Sequence, residues 1–333
     1  MKWIRLSLGA AVIMVSLTAC APRRMAVGDQ VVTPREAEGS LVMSDGAHLP
    51  LRSWEAEQPR AVLLALHGFN DYSNAFAMPG EWFAKAGVSV YAYDQRGFGL
   101  APGRGMWADR DRLSEDLRNV TSLLRARHPG IPFYIVGESM GGALLMRTMA
   151  APNPPEADGI ILAAPAVWGW RSMNDFYATM LWVSAHLVPY MEVTGQGLNR
   201  RASDNIEMLR GLGRDPLVIK ETRIDAIYGL VELMDDGAAA APHIKTPTLF
   251  IYGAHDEIVP PEPVAKALRD MKSRASMLDA VSAMCYPNGW HMLLRDNERE
   301  TVWRDMAAWM SDGNAPLPSG FSDLAPCGPL ANK

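Results

Sequence analysis

The sequence predicts an α/β fold built on a mostly parallel sheet. Three observations point to it. Short apolar runs alternate with amphipathic helical stretches along most of the chain. The run at 61–66 is apolar at every position, as in a strand covered on both faces. The pentapeptide Gly137-Glu138-Ser139-Met140-Gly141 has the form G-x-S-x-G and lies between an apolar run and a helix-forming run. That strand–turn–helix context is the one in which the pattern presents a serine on a sharp turn.

The elements follow in order. Residues 41–43 and 48–54 flank Ser44-Asp45-Gly46-Ala47 and read as a β-hairpin. The strand at 61–66 comes next, then a short helix over 79–86 with Pro79 near its start. Residues 88–93 form another strand. Leu113, Leu117, Val120, Leu123 and Leu124 recur at helical spacing over 112–127, and His128-Pro129-Gly130 ends that helix. Strands are expected at 133–136, 159–163, 248–252 and 282–286. One stretch breaks the alternation. Residues 168–241 contain no clear strand and are rich in Trp, Tyr, Met and Leu, which reads as an inserted helical cap. The same apolar stripe would suit ordinary core helices, and a cap must also bury one face.

The chain has 333 residues, 48% hydrophobic and 21% charged, so it can bury a large core. The net charge of −5 and the lack of a long basic run argue against a nucleic-acid partner.

The N-terminus reads as a targeting segment. Lys2 and Arg5 precede a predominantly apolar region of twelve residues at 6–17, too short for a comfortable membrane span. Leu17-Thr18-Ala19-Cys20 resembles the lipobox of bacterial lipoproteins. That resemblance implies a signal peptide over 1–19 and acylation of Cys20. An ordinary secretory signal or an uncleaved anchor are the other readings. Cleavage would remove Lys2 and Arg5 and leave 30 basic and 37 acidic residues. Ala21 stands where aspartate is the usual signal for inner-membrane retention, so the expected location is the periplasmic face of the outer membrane. Residues 20–39 are polar and mixed and read as a tether, and 312–333 as a Pro-rich tail. Cys285 and Cys327 are the other two cysteines. In an oxidising compartment they either pair or stay as two thiols, and spacing alone does not decide.

A serine hydroxyl needs a base, and the base needs an orienting acid. In a sheet of this kind the three come in the order Ser, Asp or Glu, His. Ser139 follows the strand at 133–136. Asp256 follows the strand at 248–252 and His291 the strand at 282–286. All three sit beyond strand C-terminal ends, where sites in open α/β sheets lie. Glu257 is the rival acid. His48, His128, His186, His243 and His255 fit the order less well, and His67 reads as a structural hydrogen-bonder. The N–H of Met140 at the helix start and that of Phe69, in the loop after 61–66, are the candidate oxyanion donors. No Cys/His cluster or HExxH pattern calls for a metal, and no cofactor is expected.

These motifs together resemble the alpha/beta-hydrolase superfamily, in its monoacylglycerol lipase and lysophospholipase-like branch grouped with serine aminopeptidases. The resemblance rests on His67-Gly68-Phe69, on Asp94-Gln95-Arg96-Gly97-Phe98-Gly99, on Gly137-Glu138-Ser139-Met140-Gly141-Gly142, on the run from Gly253 through Asp256 to Pro260, and on His291. Asp215-Pro216-Leu217 in the cap also fits the branch. It covers residues 40–311, cap included. It implies an eight-stranded, mostly parallel sheet flanked by helices, and a serine carboxylic ester hydrolase acting on lipid-like monoacyl esters through an acyl-enzyme. Two departures stand out. Glu138 replaces the histidine common before the serine, and Phe98 replaces the one that often follows Arg-Gly. Both bear on the acyl pocket or its charge. Asp94 and Arg96 read as an ion pair bracing the site.

Two other functions stay open at this level. A serine aminopeptidase of the same fold would need carboxylates such as Asp175, Glu192, Asp204, Glu207, Glu232, Asp235 or Asp236 facing the opening. A non-catalytic lipid-binding lipoprotein would have a broken triad, and none of the three positions is broken.

Overall fold

The computed structural model describes residues 21–26, 28–195, 197, 199–273, 281–321, 324 and 327–328. Residues 1–19, read above as a signal peptide, and Cys20 lie outside the described residues.

In chain order the elements are β1 (Arg35–Ala37), β2 (Ser40–Val42), β3 (His48–Trp54), β4 (Ala61–Leu66), α1 (Ala77–Lys85), β5 (Val88–Tyr93) and α2 (Arg110–Arg127). Then come β6 (Phe133–Glu138), α3 (Met140–Met149) and β7 (Gly159–Ala163). The cap holds α4 (Asp175–Leu187), β8 (Glu192–Thr194), α5 (Ile206–Arg214), β9 (Glu221–Arg223) and α6 (Ile224–Ala240). The body closes with β10 (Thr248–Gly253), α7 (Pro261–Lys272), β11 (Val281–Tyr286) and α8 (Arg299–Ser311).

Nine strands form the main sheet among the described residues, in the order β1-β2-β3-β5-β4-β6-β7-β10-β11. The first three are antiparallel and β5 onward run parallel. The ninth strand is β1, a three-residue exposed edge with no apolar pattern to announce it. It lies inside the stretch read as a tether. That stretch runs along the body: the Met25 N–H donates to the Trp107 carbonyl, and the Val31 N–H to that of Ser44.

Period-two alternation divides the core between the sheet's two faces. On β4, Val62, Leu64 and Leu66 point to the α2, α3 and α7 side, while Ala61, Leu63 and Ala65 point to the α1 and α8 side. On β10, Phe250 and Tyr252 take the first side and Leu249 and Ile251 the second. Burial on both faces explains the lack of charged positions in these strands.

The cap departs from the all-helical expectation. β8 and β9 pair antiparallel, each three residues long, too short to show an alternating pattern. The end of the cap is also less separate than its sequence implies. α6 lies directly on α3: a Cβ at Gly237 would sit 3.0 Å from the Ala143 Cα. The loop after β5 differs too. Arg96 pairs with Asp45 and Asp116, not with Asp94. Asp94 instead accepts from the N–H groups of Ser73 and Leu100, bracing the loops by backbone capture.

Cys285 on β11 and Cys327 form a disulfide, with Cα atoms 5.9 Å apart. It closes a loop over a separation of 42 residues, worth ~4 kcal/mol in a chain-entropy account. The tail is held beside β11 by Phe321 edge-on to Tyr286 and by the Ser319 N–H on Asp305.

Candidate active site

Ser139 joins β6 to α3 with φ 53° and ψ −114°. A positive φ is strained for any residue with a Cβ. The surroundings impose it. The Ser139 N–H donates to the Ala163 carbonyl at the end of β7, and its own carbonyl accepts from Ala143 and Ala166. The turn also demands bare neighbours. A Cβ at Gly137 would lie 2.5 Å from the Gly141 oxygen, and one at Gly141 would lie 2.3 Å from the Leu66 oxygen. Both glycines are therefore steric necessities.

The loop after β4 meets this turn. A Cβ at Gly68 would be 3.4 Å from the Ser139 Cβ. Phe69 and Met140 thus belong to two segments that converge on the serine. Met140 opens α3, where the first N–H groups have no intrahelical acceptor. His67 fixes the same loop. The Gln95 N–H donates to its Nε2, so its Nδ1 carries the proton given to the Gly68 carbonyl. Burial, opposed only in part by that bond and by Asp71 and Asp94, holds this imidazole below its usual pKa. Phe98 packs edge-on to His67 and Phe69 and is absent from the cavity wall, so its departure from the family pattern supports the loop and does not shape the pocket.

β10 and β11 run in parallel register and end together. The loops beyond them interlock, with the His255 N–H on the Gly289 carbonyl. Asp256 and His291 are the result. His291 Nδ1 donates to Asp256 Oδ2 at 2.8 Å. Asp256 Oδ1 accepts from the N–H groups of Ile258 and Val259. Both carboxylate oxygens are thereby engaged, and His291 Nε2 is left for the cavity. Burial pulls the His291 pKa down, but the Asp256 charge and hydrogen bond, with the charge of Glu138, outweigh it, and the net shift is upward against Arg295. Glu257, the rival acid, is exposed and accepts from the Arg201 N–H. His255 stacks on Trp290, and His186 on Trp182.

Ser139 and His291 open into one cavity of about 450 Å³. Its wall is largely apolar, with Trp168, Met173 and Leu181 from the cap and Leu230, Val231 and Met234 from α6. One end is ionic. Arg295 pairs with Asp71 at 2.7 Å and Glu138 at 3.0 Å, all three buried and all lining the cavity. Burial opposes the guanidinium charge, and the two carboxylates more than restore it. Glu138 Oε1 and Arg295 Nε have no hydrogen-bond partner among the described residues. The sequence signals Glu138 by its place in the motif. Asp71 and Arg295 escape it, although each stands close to a motif residue, two after Phe69 and four after His291.

The cap is stitched to both sides of the opening. Asn70 and Tyr72 bond Thr222 and Asp215, and on the far side Met292 and Asp296 bond Ala202 and Ser203.

A serine on a strained strand-to-helix turn, with an Asp–His pair beyond two later strands, defines an α/β-hydrolase. Known proteins agree. The family model described as serine aminopeptidase, S33, matches residues 57–298. A monoacylglycerol lipase of Mycolicibacterium smegmatis is 25% identical over 286 residues, covering 84% of this chain and 99% of that protein. Human monoglyceride lipase is 24% identical over 285 residues, covering 83% of this chain and 90% of that protein. Among solved structures, a soluble variant of Saccharomyces cerevisiae monoglyceride lipase in complex with a substrate analog superposes with a TM-score of 0.68 at 19% identity, covering 89% of this chain and 99% of that one. The chain belongs to the serine aminopeptidase S33 family, in the monoacylglycerol lipase-like branch of the α/β-hydrolases, and is a serine ester hydrolase.

The strain at position 139 is measurable. Ser139→Gly relieves the positive φ at some cost in unfolded-state entropy, for a net gain of about 1 kcal/mol over Ser139→Ala, which keeps the strain. Thermal unfolding of the two variants side by side is expected to show the glycine form melting higher. Equal midpoints would remove the strain from the account.

Proposed function

We propose that the protein hydrolyses monoacyl lipid esters, of the monoacylglycerol or lysophospholipid kind, through Ser139, His291 and Asp256. The observation that carries this reading is the cavity: a largely apolar wall around Ser139 and His291, with the ionic group of Asp71, Glu138 and Arg295 beside them. The apolar wall suits an acyl chain, and the polar end formed by Asp71, Glu138 and Arg295 suits the hydroxyl-bearing alcohol part.

Ser139 Oγ attacks the ester carbonyl while His291 Nε2 takes its proton. The Phe69 and Met140 N–H groups hold the oxyanion, each worth ~3 kcal/mol in the transition state. His291 then returns the proton to the leaving alcohol, and water, activated by the same imidazole, cleaves the acyl-enzyme. Asp256 keeps the proton on Nδ1 and stabilises the imidazolium.

The aminopeptidase alternative is less well supported. Asp175, Glu192, Asp204, Glu207, Glu232, Asp235 and Asp236 are all absent from the cavity wall. The carboxylates that do line it, Asp71 and Glu138, share Arg295. The shared guanidinium weakens their pull on a substrate ammonium.

Cys20 acylation is part of the proposal. It is supported by the charged start, the short apolar run and the small-residue cleavage site, and it holds the enzyme at the periplasmic face of the outer membrane.

A panel of long-chain monoacylglycerols, lysophospholipids, p-nitrophenyl acyl esters and aminoacyl anilides tests the substrate class. Esters are expected to turn over and anilides not, and Ser139→Ala should lose roughly 10⁴-fold or more in kcat. Preference for anilides would contradict the reading.

The pH profile tests the base. His291 accepts a proton only when neutral, above its pKa, and that pKa is raised from 6.5. The acid limb of kcat/KM is therefore expected above pH 6.5. Glu138→Gln removes a charge that favours the imidazolium, so the limb should move to lower pH. A shift to higher pH, or none, would separate Glu138 from the base.

A further inference from the structure

The loop between β5 and α2 is built from residues that hold no shape by themselves. Gly97, Gly99, Gly103 and Gly105 all have positive φ, at 88°, 56°, 73° and 82°. Glycine takes up such angles readily, and it also loses the most conformational freedom when fixed in them. Yet this loop carries the two rings that bear on Phe69. Phe98 meets the Phe69 ring edge-on with centroids 5.6 Å apart, and Trp107 meets it at 6.1 Å, tilted by 55°. Trp107 is fully buried and also touches the cap, since a Cβ at Gly229 of α6 would overlap its indole. The indole thus stands against both the loop after β4 and the helix that walls the cavity. Its Nε1 has no hydrogen-bond partner among the described residues. A buried donor left unpaired costs stability, so the indole contributes here by its shape and not by its polarity.

The N-terminal segment supplies the support that the loop lacks. Arg24 forms a parallel bridge with Trp107, and the Met25 N–H donates to the Trp107 carbonyl at 2.8 Å. The Met25 side chain lies on Gly103, so close that a Cβ there would overlap its Sδ and Cε, and it packs against the core. Arg24 adds ion pairs to Asp109, at the start of α2, and to Glu232 on α6. Two consecutive residues therefore grip the glycine-rich loop at Gly103 and Trp107 and tie its end to the cap.

We propose that Trp107 is a positioning residue for the Phe69 N–H, and that Arg24 and Met25 form a strap that keeps it in place, so that ester hydrolysis depends on a segment that precedes the first strand. This rests on the reading of Phe69 as an oxyanion donor given above. The physical basis is preorganisation. A donor stabilises a developing oxyanion fully only when it is fixed before the charge arrives, and a shift of about 1 Å is costly in rate. His67 holds the Gly68 carbonyl on one side of that N–H, and Phe98 and Trp107 hold the Phe69 ring on the other. Met25 and Trp107 are both absent from the cavity wall. Loosening the strap therefore weakens the hold on the transition state and leaves the binding of substrate in place, which lowers kcat and spares KM.

The test compares Met25→Ala with Met25→Leu, and Trp107→Leu with Trp107→Phe, in the full-length protein. Met25→Ala is expected to lower kcat on a short p-nitrophenyl ester roughly fivefold with KM within about twofold, and Met25→Leu, which keeps the volume, to stay within about twofold of wild type in both. Trp107→Leu should lose roughly tenfold in kcat, and Trp107→Phe, which returns a ring to Phe69, only about threefold. Two ligands separate positioning from bulk packing. An alkyl trifluoromethyl ketone, whose adduct with the serine carries an oxyanion, should weaken in step with kcat. A monoalkyl glycerol ether, which has no carbonyl, should bind as it does to wild type. Unchanged kcat in Met25→Ala, whatever its melting temperature, would overturn the proposal, and so would ketone and ether weakened alike. The Met25 pair decides where Trp107→Leu does not fold. Failure of the hydrolase reading looks different: wild type itself then cleaves no ester and takes up no ketone, whereas failure of this proposal leaves an active wild type indifferent to Met25.

Discussion

The approach of α3 to β4 is the contact on which the rest of the site depends. Gly141 comes so close to the Leu66 carbonyl that no side chain fits between them. To let the helix start there, the chain must turn within a single residue after β6, and that residue is Ser139, driven to positive φ. The same closeness sets the first free N–H of α3 beside the loop leaving β4. One steric fact thus fixes the proposed nucleophile and brings both proposed oxyanion donors to it. The strain is sustained because β7, through the Ala163 carbonyl, and the loop beyond it hold the turn from the other side.

The other half of the site depends on the parallel pairing of β10 with β11. Register carries the two loops to the same height, where Gly253 and Gly289 interlock against backbone. Asp256 and His291 are buried by this arrangement, which strengthens their hydrogen bond and makes each costly to leave unpaired. Glu138, Asp71 and Arg295 extend the buried polar system along the cavity. The charges of Asp256 and Glu138 favour a protonated His291, while burial and, more weakly, the Arg295 guanidinium act against it. The arginine is the partner that makes burial of the two acids tolerable.

Much of this was legible in the sequence, for physical reasons. Strands covered on both faces are almost wholly apolar and carry no charge, so β4, β5 and β10 declare themselves. Glycines required by a steric contact mark the serine turn, and chain order then picks out Asp256 and His291 over Glu257 and the other histidines. What stayed hidden lacks a local pattern. β1, β8 and β9 are three residues each, below the length at which alternation shows. The Asp71–Arg295 pair spans 224 residues, and only the fold brings its members together. The stretch before β1 looks like a free tether because its attachments are backbone hydrogen bonds, long arginine side chains and the lone apolar contact of Met25, which together leave no periodic hydrophobic pattern.

The central claim is that Ser139 is the reacting atom's residue. Its most direct measurement is covalent labelling with a long-chain alkyl fluorophosphonate followed by peptide mapping of the intact protein. The account predicts one adduct per chain, on Ser139, lost in His291→Gln. An adduct on another residue, or full labelling without His291, would contradict it.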